Sequence, residues 1–200
     1  MEKQRTQEWF NARRYRFTGS RIHEIMGTKI SMAYVKEVVL EALDPYLEES
    51  YVSPDMERGN ILEETAFKKL TEILNKRFIQ TETCGFFPYE NFSGASPDGL
   101  TSDNGVIEIK CPRAKTFFEV VETGKIDPKY YDQMQCEMLA TGRSKAYYFN
   151  YFVNMNGKEY WHLIEVPRDE VRINFMKERI KQAADMAKIY EMTIKKNKQF

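Results

Sequence analysis

Between residues 54 and 76 the apolar side chains fall at Leu62, Ala66, Phe67, Leu70, Ile73 and Leu74. Steps of three and four lay one apolar stripe along a helix, so a helix is predicted from Pro54 to about Lys76. Two shorter helices precede it. One starts at Ser20, whose hydroxyl can cap a first turn, and stops at Gly27; the other runs from Ser31 to about Leu43. The texture then changes. Cys84 to Tyr89, Gly94 to Leu100 and Val106 to Lys110 are short β-rich pieces separated by Gly, Asn and Pro, and Ser102-Asp103-Asn104-Gly105 is a hairpin turn. A helix follows at about 115–123. Another opens with Asp127 as N-cap and Pro128 in the first helical position, and runs to about Ala140. Ala146–Val153 and Glu159–Val166 read as strands joined by the turn Asn154-Met155-Asn156-Gly157, and Asp169 opens a long terminal helix.

Helices, then a mixed sheet crossed by helices, then a helix describe an α/β (α+β) chain: a central mixed sheet flanked by helices in one domain. Its expected parts are an N-terminal helical region at 1–50, a core at 54–166, and a C-terminal helix with a basic tail at 169–200.

Composition narrows the class. The chain has 200 residues, 42 % of them hydrophobic, with 30 Lys and Arg balancing 30 Asp and Glu. A net charge of zero excludes a histone-like polycation and an acidic disordered chain, but not a local basic surface for nucleic acid. Residues 1–30 carry seven basic side chains, among them Arg13, Arg14 and Arg16, against three acids; residues 31–70 carry nine acids against four bases. No run approaches 18 apolar residues, so no membrane span is expected. The N-terminus has no apolar signal core. Cys84, Cys111 and Cys136 are too few for a four-cysteine metal site and are odd in number. An intracellular protein with free thiols is expected.

The chemistry concentrates at Ser96-Pro97-Asp98-Gly99-Leu100 and Glu108-Ile109-Lys110. Glu108 and Lys110 are two apart on a predicted strand and so share a face. The hairpin should fold Asp98 beside Glu108. Two converging carboxylates repel unless a proton or cation lies between them. Hard oxygens at this density suit Mg²⁺ or Mn²⁺, and the Ile109 carbonyl can add another. Lys110, a cation, is placed to hold an attacking water or to steady charge on a phosphate.

These strings resemble the PD-(D/E)xK nuclease superfamily. More narrowly, the chain resembles the phage λ exonuclease and YqaJ-type viral recombinase family. Four blocks match in order: Trp9 with Arg13 and Thr18-Gly19-Ser20; Gly59 with Glu63 and Ala66; the Ser96–Leu100 and Glu108–Pro112 pair; and Tyr131 with Gln133 and Gln135. The resemblance implies a restriction-endonuclease-like core. It implies two metal ions, one held by Asp98, Glu108 and the Ile109 carbonyl, the other by Glu63 with Asp98. It places Gln133 near the active site; Gln135, 200° away on the helix, cannot face the site equally. Arg13 would offer its planar fork to a 5′ phosphate, with Ser20 and Ser96 nearby. Arg14 and Arg16 would contact the duplex backbone, and Met56 would stand where the family has a strand-separating wedge.

The implied function is a Mg²⁺-dependent 5′→3′ exonuclease that degrades one strand of linear double-stranded DNA to mononucleotides and leaves a 3′ single strand for annealing-type recombination. The resemblance further implies a homotrimer, a single-strand annealing partner protein and, for a phage or prophage gene, the cytoplasm of a bacterial host. The alternatives are another PD-(D/E)xK nuclease, acting as an endonuclease or in repair, and a catalytically silent DNA-end-binding scaffold.

Overall fold

The computed structural model describes residues 4, 6–43 and 54–197. In chain order the helices are α1 (Gln7–Arg13), α2 (His23–Met26), α3 (Met32–Leu43), α4 (Pro54–Asn75), α5 (Ala114–Thr123), α6 (Pro128–Thr141) and α7 (Glu170–Asn197). The strands are β1 (Phe17–Thr18), β2 (Thr81–Glu82), β3 (Phe87–Tyr89), β4 (Ser93–Ala95), β5 (Gly99–Thr101), β6 (Gly105–Lys110), β7 (Lys145–Val153) and β8 (Glu159–Pro167). Residues 44–53 of the stretch before α4 and 198–200 of the basic tail lie outside the described residues.

Capping chemistry places several boundaries. Ser31 Oγ accepts the Tyr34 N–H at the start of α3, and Asp127 accepts the Lys129 N–H at the start of α6, with Pro128 just inside. Asp169 accepts the Arg172 N–H and opens α7. Gly124 and Gly142, both left-handed, end α5 and α6.

Five strands form the main sheet in the order β2-β5-β6-β7-β8; all neighbours are antiparallel except the β6–β7 pair. The parallel pair needs a crossover, and α5 and α6 supply it. Ile107, Ile109, Tyr147, Phe149 and Tyr151 pack on Ala66, Leu70 and Leu74 of α4. Val106, Tyr148 and Val166 pack on the opposite face with Met134 and Met138 of α6. A smaller sheet, β1-β4-β3, joins α2, α3 and α7 in a third cluster that also receives Cys136 and Leu139 of α6. Helix α6 is therefore enclosed on all sides, with every residue from Asp132 to Leu139 buried.

Two sequence expectations need correction. The stretch from Gly94 to Leu100 is not one strand region: β4 belongs to the small sheet and β5 to the large one. Pro97, between them, has no N–H to give a ladder. Its carbonyl instead accepts Gln4 Nε2 at 2.7 Å and the Cys84 thiol at 3.2 Å. The helix expected from Ser20 to Gly27 is also interrupted. Gly19–Arg21 forms a 3-10 turn that follows Thr18 without a side-chain cap, and α2 starts only at His23. Ser20 is exposed inside that turn and caps nothing. Gly19 packs closely here: a Cβ on it would sit 3.0 Å from Ala95 Cβ.

Candidate active site

The site forms where the chain crosses from the small sheet to the large one. Asp98 N–H donates to the Ile107 carbonyl at 2.9 Å, and Asp98 Oδ2 accepts the Ile109 N–H at 2.6 Å. The aspartate is thus fixed against β6 by backbone at both ends. The glycine that follows is required: a Cβ on Gly99 would lie 2.7 Å from both the Glu82 carbonyl and the Phe67 ring.

On β6 the odd residues Ile107 and Ile109 face α4, so Glu108 and Lys110 face α6. Glu108 is 1 % exposed and forms an ion pair with Lys110. The Lys110 ammonium also lies 4.6 Å from the centre of the Tyr130 ring of α6. Burial alone would lower the Lys110 pKa; the fields of Glu108 and Asp98 and the hydrogen bond from Glu108 reverse this and raise it, so the side chain is an ammonium. Burial pushes the Asp98 carboxyl well above the usual range, and the negative fields of Glu108 and Glu63 add to the effect.

Glu63, half-buried on α4, lies near enough to this group for its field to act on both Asp98 and Cys111. Arg58 lies five residues earlier on the same helix. Its Nη2 donates to the carbonyls of Cys111 at 2.8 Å and Pro112 at 2.5 Å and so ties α4 to the end of β6. Cys111 packs in the α4 cluster.

The two glutamines of α6 diverge. Gln135 donates to the Pro167 carbonyl and accepts the Asp169 N–H, a role in joining β8 to α7. Gln133 donates to Glu137 Oε1 at 3.0 Å. Glu137 escaped the sequence reading. It is 1 % exposed and meets Glu108 across the α6–β6 contact. Burial, then the field and hydrogen bond of Glu108, hold its carboxyl well above the usual range. The available signal was its spacing of four from Gln133, which puts both on one helix face.

The residues present suit a divalent cation. Glu108 Oε2 and Glu137 Oε2 are buried oxygens without a hydrogen-bond partner, and Asp98 adds a third buried carboxyl whose field acts on Glu137. Among the described residues no three His, Cys, Asp or Glu side chains are already drawn into a cage. Lys110 supplies the compensating charge to Glu108.

A second group lies at the N-terminal end of the same Ser96–Asp98 segment. Trp9 Nε1 donates to Ser96 Oγ at 2.9 Å, Arg13 Nη1 donates to the same oxygen at 3.4 Å, and the Arg13 guanidinium lies 4.1 Å from the Trp9 ring centre. Burial lowers the Arg13 pKa from its ordinary value, yet the group stays cationic. Arg16 is occupied differently: it donates to the carbonyls of Ala12, Glu90 and Ser93 and braces the loop before β4. Met56 falls on the first turn of α4, and its side chain lies outside the described residues.

Residues 8–144 match the family described as the YqaJ-like viral recombinase domain. The chain belongs to that family. This YqaJ-like chain is similar in structure to the alkaline exonuclease LHK-Exo from Laribacter hongkongensis: TM-score 0.83, 28 % identity, with 96 % of this chain and 97 % of that chain covered. LHK-Exo in complex with dAMP matches at TM-score 0.82 over the same shares. A phage related exonuclease from Haemophilus somnus 129PT shares the fold at TM-score 0.65 and 18 % identity, with 93 % and 98 % covered. No curated protein matches the chain in sequence. The domain is an alkaline-exonuclease-like member of the YqaJ family, and none of its described helices is long and apolar enough to cross a membrane.

Proposed function

We propose that this protein is a Mg²⁺-dependent 5′→3′ exonuclease acting on linear double-stranded DNA with 5′-phosphorylated ends. It releases mononucleotides and leaves a 3′ single strand for annealing-type recombination. The observation that carries this reading is the buried group of Asp98, Glu108 and Lys110, with carboxylate oxygens that have no donor. The structure of the similar LHK-Exo in complex with dAMP supports a mononucleotide as the product here.

Asp98, Glu108 and the Ile109 carbonyl would hold one Mg²⁺, and Glu63 with Asp98 a second; Mn²⁺ would substitute. When bound, the ions offset the charge that builds on the attacked phosphate and lower the pKa of a coordinated water. The chain's own residues do the rest. The Ile109 N–H holds Asp98 in its rotamer. Lys110, kept cationic by Glu108 and Asp98, donates to the attacking water or to a phosphate oxygen and does not act as a base. Gln133 lines the α6 side of the same space. Arg13, stacked on Trp9, offers its remaining donors to the terminal phosphate.

The family resemblance adds a homotrimer around DNA, a single-strand annealing protein as partner, and the cytoplasm of a bacterial host for a phage or prophage gene. The test is digestion of end-labelled linear duplex beside a covalently closed circle. Mononucleotide release from the 5′-labelled end with Mg²⁺, none with EDTA and an intact circle are expected. Cutting of the circle would favour an endonuclease. Binding of ends without hydrolysis in Mg²⁺ or Mn²⁺ would favour a silent scaffold.

A further inference from the structure

We propose that Gln4 is a positioning residue of this site: its side-chain amide clamps the peptide plane between Pro97 and Asp98 and so fixes where the Asp98 carboxylate stands.

A peptide unit is planar, so the Pro97 carbonyl and the Asp98 N–H turn together as one body. The proline ring fixes φ at residue 97, and the rotation that remains before Asp98 is ψ of Pro97. That rotation swings the plane and carries the Asp98 side chain with it. Both ends of the plane are held. The Asp98 N–H donates to the Ile107 carbonyl at 2.9 Å. At the other end the Pro97 carbonyl accepts Gln4 Nε2 at 2.7 Å and the Cys84 thiol at 3.2 Å. A thiol is a weak donor, so Gln4 supplies the stronger grip. No strand covers this carbonyl, since β4 ends at Ala95 and β5 starts at Gly99.

Gln4 is tied into its place twice. Its Nε2 also donates to the Cys84 carbonyl, at 3.4 Å, so one amide bridges residues 84 and 97. Both partners are carbonyl oxygens, which accept and cannot donate, and this turns the NH₂ end of the amide toward them. They lie 80 and 93 residues along the chain. Gln4 comes from the same stretch as Trp9 and Arg13, which hold Ser96 Oγ. Residues 4–13 therefore grip two successive residues, Ser96 by its hydroxyl and Pro97 by its carbonyl. The contact of Gln4 is one peptide bond from the residue whose carboxylate the reaction needs. A misplacement of about 1 Å at a reacting group can cost about 100-fold in rate.

The inference rests on the exonuclease reading of the site, so one measurement is made without DNA or metal. Amide hydrogen exchange is followed by NMR on the full chain, and kcat and KM are measured on linear duplex in Mg²⁺. Gln4→Met keeps the length and bulk of the side chain and removes the donor. It should speed exchange of the Asp98 and Ile109 N–H groups by about 10-fold and leave that of Phe149, inside β7, as in the native chain. It should lower kcat by about 10- to 100-fold, with KM for DNA within about twofold. Gln4→Lys carries donors at similar reach and should return most of kcat. Native exchange at Asp98, or native kcat, in Gln4→Met overturns the proposal. Equal loss of kcat in Gln4→Met and Gln4→Lys, with a lower melting temperature in both, makes Gln4 a structural residue and overturns it as well. If Gln4→Met does not fold, Gln4→Glu, which offers no donor, decides by the same two measurements. A native chain that digests no DNA refutes the exonuclease reading; faster exchange at Asp98 in Gln4→Met would still uphold the clamp.

Discussion

Asp98 Oδ2 accepts the Ile109 N–H at 2.6 Å, just past the last paired rung of β5 and β6, Gly99 with Ile107. One side chain therefore does two jobs: it continues the ladder where Pro97 cannot, and it places a carboxylate beside Glu108. The two jobs separate by substitution. Asp98→Asn retains an acceptor for Ile109 and removes the charge. It should unfold at or above the native temperature while exonuclease activity falls at least about 100-fold. Asp98→Ala also strands a buried N–H and should cost about 1–3 kcal/mol. Thermal unfolding beside the end-labelled assay checks both. An Asn variant as unstable as the Ala variant would contradict the division.

The raised carboxyls make a prediction about pH and metal. Asp98 and Glu137 are raised first by burial and then by their neighbours, so the folded chain holds protons that the unfolded chain releases. Stability from these groups is present below their unfolded pKa and is lost as pH rises through the raised folded values. A divalent cation held by Asp98 would replace its proton. Mg²⁺ should therefore raise the melting temperature more at about pH 8 than at about pH 6, with EDTA as the reference. A larger gain at the lower pH would refute the assignment of Asp98 to the metal.

The Trp9–Arg13–Ser96 group predicts substrate preference. Removing the 5′ phosphate from linear duplex should slow digestion by the native chain, and Arg13→Ala should erase the difference. Arg13→Lys should not restore it, because an ammonium lacks the planar fork and stacks less well on Trp9. Initial rates on phosphorylated and dephosphorylated ends measure this. Equal rates for the native chain would rule out the pocket.

A fourth prediction concerns the fold. Asp132 is 3 % exposed and relies on Arg172 of α7. Arg172→Ala strands that carboxylate and should cost about 2–3 kcal/mol, less than a fully buried pair because Arg172 is partly exposed. Asp132→Asn combined with Arg172→Ala should recover part of the loss, read by urea denaturation.

Much of this was legible in the residues. Periodicity located α4, and capping residues located α3, α6 and α7, because these signals depend on neighbours one turn away. The alternation along β6 already put Glu108 and Lys110 on one face. Three features were not legible. Ser20 stands where a cap is common, but it falls inside a 3-10 turn that packs closely on Ala95. Glu137 looks like a solvated helix acid, since nothing local shows that α6 is enclosed. Arg58 owes its position to carbonyls 53 and 54 residues away.

By itself, then, the sequence determined the order of the elements, the family resemblance and the strip of Asp98, Glu108 and Lys110, all carried by local spacing. Only the tertiary structure decided that β4 and β5 belong to different sheets, that α6 lies between them, and that Glu137, paired with Gln133, comes within reach of Glu108. The physical reason is that a helix buried on every side has no polar face to mark its direction. Which of its side chains meets the catalytic strand is set by packing among distant segments.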